Sequence, residues 1–99
     1  MPSNTISNRF YYVYVLQSMK DLNYYIGFTN DLRRRMEDHQ VGKSFATAPR
    51  RPFKLIYYEA CLSNADARRR EKYFKDTSGR RYLAQRLREY RKTNNSKLS

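Results

Sequence analysis

An α+β domain built on a small, mainly antiparallel three-stranded sheet flanked by helices, in the order ββαβαα, is the fold this sequence predicts. Three observations carry it. Residues 10–16 (FYYVYVL), 24–29 (YYIGFT) and 53–61 (FKLIYYEAC) are aromatic and β-branched, which suits a pleated, half-buried surface. Segments with helix-cap signals follow the second and third of these runs. At 99 residues the chain fits one domain with a thin core, because a domain this small buries only about 60–65% of its unfolded surface.

Each element has a local reason. Residues 1–9 and 92–99 are polar and aperiodic, and read as flexible tails around a domain spanning 10–91. The polar stretch 18–23, with Lys20-Asp21, joins the first two strands into a hairpin. Asn30 or Asp31 caps the first helix, and Gly42 marks its end. Residues 43–52 hold Ser, Thr and two prolines, and read as a loop before the third strand. Ser63 or Asn64 caps a second helix that runs toward Ser78, with Gly79 as its stop. Residues 80–91 form a last helix with Leu83 and Leu87 on its buried side.

Charge narrows the partner. The chain carries 21 Lys and Arg against 9 Asp and Glu, a formal net charge of +12. Self-repulsion of that size opposes folding, so a polyanion is the economical partner. The basic residues fall in three clusters: Arg33-Arg34-Arg35, then Arg50-Arg51 near Lys43 and Lys54, then the stretch from Arg68 to Lys92 that includes Arg80 and Arg81. DNA or RNA is the leading class, and an anionic membrane surface is the rival. No run approaches the ~18–20 apolar residues of a membrane span. The polar amino terminus lacks the apolar core of a signal peptide, and the lone Cys61 suits a reducing cytoplasm.

Several polar side chains sit on otherwise apolar faces. Leu32 and Met36 mark the inward stripe of the first helix, and at about 100° per residue His39 lies about 20° from Leu32 and Arg35 about 60° from it. On the second helix Ala67 and Phe74 mark the stripe, and Glu71 lies about 40° from Ala67. A carboxylate near a core needs a partner or a wet cleft. Taken singly, each residue has a bland reading: Glu71 pairs with a neighbouring cation, His39 packs, and a strand tyrosine is core with a wet hydroxyl. In the strands, Tyr12, Tyr14 and Leu16 share one face, as do Tyr25 and Gly27. Gly27 leaves room for close approach of a ligand or another backbone.

Taken together these residues resemble the GIY-YIG nuclease superfamily, including the nuclease domain of the bacterial excision-repair C subunit. Tyr12-Val13-Tyr14 stands for the first signature and Tyr25-Ile26-Gly27 for the second. Arg35 follows ten residues after Tyr25, His39 four further on, and Glu71 lies in Arg69-Arg70-Glu71-Lys72. The resemblance covers residues 10 to about 91. It departs at Tyr12, where the signature opens on glycine, and at Ser78-Gly79-Arg80-Arg81, where larger nucleases carry an asparagine.

The resemblance implies a GIY-YIG-like fold and an endonuclease that hydrolyses DNA phosphodiesters with one Mg²⁺ or Mn²⁺, structure- or weakly sequence-selective, in repair or recombination. The alternative is a nucleic-acid-binding module on the same scaffold. Glu71 would be the metal ligand. Arg35 would face the charge that builds on the phosphate. Tyr14 or Tyr25 would be the general base, and His39 a proton relay. Gly27, Arg33, Arg34, Lys43, Arg50, Arg51, Arg80 and Arg81 are the expected nucleic-acid contacts. The protein would act in the cytoplasm as a monomer or homodimer, without a membrane.

Overall fold

The computed structural model describes residues 9–95. Strands β1 (Tyr11–Ser18), β2 (Tyr24–Thr29) and β3 (Phe53–Cys61) form one antiparallel sheet in the order β2-β1-β3. Helix α1 (Leu32–Gln40) follows β2, and a 3₁₀ turn (Ala48–Arg50) precedes β3. Helices α2 (Asn64–Lys75), α3 (Thr77–Arg86) and α4 (Arg88–Asn95) follow β3. The expected α+β architecture is present, with a three-stranded antiparallel sheet between helices.

β1 is the central strand and is buried on both faces, which explains its unbroken apolar run. Val13 and Val15 point into one core with Ile26, Ala67, Phe74, Leu83 and Leu87, under α2 and α3. Tyr14 and Leu16 point the other way and pack with Phe53, Leu32, Met36 and Leu55, under α1. The sheet therefore separates two layers. Between Val15 and Leu16 the register with β3 shifts from Tyr57 to Leu55, a bulge that keeps apolar side chains on both faces.

Capping decides where the helices begin. Asp31 Oδ1 accepts the Arg34 amide at 3.2 Å, and Ser63 Oγ accepts the Asp66 amide at 3.1 Å. The Arg70 guanidinium then grips Glu59 of β3 with two bonds, 2.8 and 3.1 Å, and fixes the rotation of α2 on the sheet.

Three expectations need correction. Gly79 does not stop a helix. The second helix ends at Lys75, Asp76 caps the next by accepting the Gly79 amide at 3.0 Å, and Gly79 lies buried inside α3. A side chain there would overlap the Tyr73 carbonyl, so the glycine serves close packing of α2 on α3. The last helix is also divided, at Leu87, into α3 and α4. Finally, the predicted tail at 92–99 begins too early, because α4 continues to Asn95. The remainder of both tails lies outside the described residues.

Candidate active site

The site begins with Tyr14 on the α1 face of the central strand. Its partner across β1 and β2 is Gly27, and a methyl group at Gly27 would overlap the phenol carbon and hydroxyl. The glycine is therefore the floor on which the Tyr14 hydroxyl rests. The room expected over Gly27 for a ligand is filled by this phenol, which corrects its assignment as a nucleic-acid contact.

Helix α1 brings the next two groups. The Tyr14 hydroxyl bonds His39 Nε2 at 2.8 Å, and Arg35 Nε–H donates to the same oxygen at 3.3 Å. His39 Nδ1 bonds Thr47 Oγ1 at 2.8 Å, and Thr47 in turn donates to the Ser44 carbonyl at 3.4 Å. This network assigns the protons. Thr47 spends its hydrogen on Ser44, so it accepts from Nδ1–H, which leaves the Nε2 lone pair to accept the Tyr14 hydroxyl hydrogen. Tyr25 completes the cluster, its ring edge-on to His39 at 5.5 Å and tilted to Tyr14 at 6.4 Å.

Electrostatics follows from burial. His39 is 1% exposed, and burial, aided by the Arg35 cation, lowers its pKa to about 4. It is a neutral base at pH 7. Burial pushes the Tyr14 phenol up, against the pull of its Arg35 hydrogen bond. The resting state is thus a neutral phenol held between a base and a guanidinium.

The same shift has a stability consequence. Unfolded chains take up a proton below about pH 6.5, whereas folded His39 resists it down to about 4. Stability from this group is complete above 6.5 and is lost as pH falls toward 4, by about 3 kcal/mol. Urea midpoints followed against pH should show that loss in the wild type, and a smaller slope in His39→Gln. Equal slopes would refute the buried neutral imidazole.

Glu71 comes from the opposite layer. On α2, Arg70 points toward β3, whereas Arg68 lays its guanidinium 3.8 Å over the Phe28 ring of edge strand β2. Glu71 is about 60° round the helix from Arg68, with Oε1 4.0 Å from the Arg68 guanidinium and Oε2 3.2 Å from Lys75 Nζ. The carboxylate therefore stands at the β2 rim. Phe28 packs in the α2 layer, whereas Gly27 before it meets Tyr14 in the α1 layer; the Glu71 charge is the last of the causes, after burial, that raise that phenol. The structure gathers Tyr14, Tyr25, Arg35 and His39 on one face, and Glu71 stands on α2, in the other layer, paired with Arg68 and Lys75.

Among the described residues, no group of three or more His, Cys, Asp and Glu could hold a metal ion. A single half-buried carboxylate fits Mg²⁺ or Mn²⁺ chemistry, in which water and substrate phosphate provide most ligands. It does not fit a closed structural zinc site.

The expected phosphate contacts divide. Arg33 and Arg34 on α1, and Arg80 and Arg81 on α3, are exposed and make no ion pair among the described residues. Lys43 is exposed, 4.0 Å from Asp38. Arg50 is engaged with Asp21 at 2.9 Å, and Arg51 donates to the Ala48 and Gln40 carbonyls. These last two brace the loop between α1 and β3 through those contacts. Thr47, 0% exposed, was missed because no local pattern marks it. Arg68 was hidden among the basic residues of α2. No helix of the described residues is long and apolar enough to cross a membrane.

A UPF0213 protein of Limosilactobacillus reuteri is 42% identical over 73 residues, covering 71% of this chain and 75% of its own. The UPF0213 protein YazA of Bacillus subtilis is 40% identical over 70 residues, covering 70% of this chain and 68% of its own. The solution structure of a UPF0213 protein from Bacillus halodurans is 34% identical, covers 77% of this chain and 83% of its own, and superposes with a TM-score of 0.49. The family model of the GIY-YIG catalytic domain matches residues 10–83. The chain belongs to the GIY-YIG catalytic-domain family, whose activity is of nuclease type.

Proposed function

We propose that the protein is an endonuclease that hydrolyses DNA phosphodiester bonds with one Mg²⁺ or Mn²⁺, structure- or weakly sequence-selective, in repair or recombination. The observation that carries this reading is the Tyr14 phenol held between the neutral base His39 and the Arg35 guanidinium. A phenol with a base behind it relays a proton. As water attacks phosphorus, its proton passes to the Tyr14 oxygen while the Tyr14 proton passes to His39 Nε2. Thr47 holds the imidazole in the tautomer that this step needs. The Arg35 terminal nitrogens offer donors to the phosphate oxygens as charge builds there. Tyr25, beside both rings, orients the water. Bound at Glu71, a divalent ion supplies polarisation of the phosphoryl oxygen and stabilisation of the departing oxygen.

A second reading, a DNA-binding module without cleavage, is favoured by two observations. Lys75 already neutralises Glu71 at 3.2 Å, and Ser78-Gly79-Arg80-Arg81 carries no asparagine. Plasmid, branched DNA and RNA incubated with Mg²⁺, Mn²⁺ or EDTA separate the two. Nicking that needs the divalent ion supports the enzyme, and intact substrates throughout with retained binding support the module. Either reading places the protein in the cytoplasm, as monomer or homodimer. Both also require affinity for DNA to fall roughly 10³-fold between about 50 and 200 mM salt. A flat salt profile would remove nucleic acid as the partner.

A further inference from the structure

The loop from Val41 to Pro52 inverts the ordinary partition of side chains. In its turn Ser44-Phe45-Ala46-Thr47, the two hydroxyl residues are buried and the phenylalanine is 97% exposed. A phenylalanine in water forfeits the transfer free energy that burial would give it. Single exposed apolar residues are common, but this one is held out by a rigid frame. The Thr47 amide bonds the Ser44 carbonyl at 3.2 Å, the Ala48 amide bonds it at 2.9 Å, and the Lys43 amide bonds the Asp38 carbonyl at 2.9 Å. Ser18 Oγ and Lys20 Nζ tie the far side to the Arg50 and Pro49 carbonyls at 2.7 and 3.0 Å. Thr47, two residues from Phe45, is the hydrogen-bond partner of His39.

The ring thus projects from a braced loop whose base is part of the candidate active site, with exposed Lys43 two residues away. An apolar ring on the loop that carries Lys43, next to the candidate active site, has the chemistry of a nucleobase platform. Bases stack on aromatic rings regardless of sequence while cations hold the backbone.

We propose that Phe45 stacks on an unpaired base of the substrate, so that the site selects nucleic acid with unstacked bases beside the scissile phosphate. This rests on the nucleic-acid reading above and names its substrate class: gapped, flapped or otherwise opened duplex rather than intact B-form DNA. In an intact duplex every base face is covered, and the ring has nothing to lie on.

The test is binding in EDTA, so that cleavage plays no part. The full chain is titrated onto an intact duplex and onto the same duplex with a short single-stranded gap carrying 2-aminopurine. The wild type should prefer the gapped duplex and change the 2-aminopurine fluorescence. Phe45→Ala, with no packing to lose, should weaken gapped-duplex binding about 10-fold and leave intact-duplex binding unchanged. Phe45→Trp should restore affinity, and in a chain without tryptophan its fluorescence should be quenched by the gapped DNA. If Phe45→Ala binds gapped DNA as tightly as the wild type, or the wild type binds both DNAs equally, the proposal is overturned. Loss of a dimer on sedimentation, with unchanged DNA binding, overturns it in favour of self-association. A protein that binds as described yet never cuts would sink only the nuclease reading.

Discussion

Replacing Glu71 by Ala or Gln is expected to bring divalent-ion-supported cleavage to background while DNA is held at least as tightly as before. The two halves of that result have separate causes. Glu71 is the one residue proposed to hold the metal ion, and no cluster of acidic or imidazole groups among the described residues stands behind it. Its loss removes the carboxylate proposed as the chain's ligand to the ion. Binding goes the other way, because Glu71 now offsets Arg68 and Lys75 at 4.0 and 3.2 Å. Removing it frees two cations to face phosphate, which adds to the electrostatic attraction. Glu71→Gln keeps the side-chain volume, so a melting curve close to the wild type would confirm that folding is intact. Cleavage by either variant at the wild-type rate would show that the metal is held elsewhere. A parallel fall in cleavage and binding would point instead to a structural carboxylate.

The sequence disclosed this site unevenly, and the reasons are physical. Strand composition and caps are local properties, so β2 and β3 could be read directly. The caps could be narrowed to Asn30 or Asp31 and to Ser63 or Asn64, of which Asp31 and Ser63 serve. Helical periodicity placed His39 and Arg35 on one face of α1, where both meet the Tyr14 hydroxyl. Gly79 misled because a glycine that ends a helix and one that lets two helices touch have the same local signature. Charge in a sequence does not say what else a cation will hold, as Arg50 and Arg51 show. Here one meets Asp21 and the other the backbone carbonyls of its own loop. Thr47 was invisible, since its partner lies eight residues away across a loop with no periodicity. The layer from which Glu71 approaches depends on which way α2 crosses the sheet, and that is set by Glu59 and Arg70 acting between elements.

Arg35→Ala should lower the rate of cleavage by at least ~10²-fold, the usual cost of one transition-state donor, with little change in affinity for DNA. Arg35 touches the machinery in two ways. Its Nε–H supports the Tyr14 oxygen at 3.3 Å, where negative charge would gather as the proton leaves for His39. Its terminal nitrogens are the donors proposed for phosphate, and one of them lies 3.8 Å from Asp38. Lysine retains the charge but not the planar fork, so Arg35→Lys should bind DNA as the wild type does and recover only a small part of the rate. A pH–rate profile adds a readout that a loss of folding would not mimic. Without the guanidinium the Tyr14 phenol loses the hydrogen bond that lowers its pKa, and His39 loses a cation that depresses its own. The alkaline limb should move up in pH, and so should the acid limb. Wild-type turnover in Arg35→Ala, or a slower rate with both limbs unmoved, would take Arg35 out of the proton relay and leave it a surface cation like its neighbours Arg33 and Arg34.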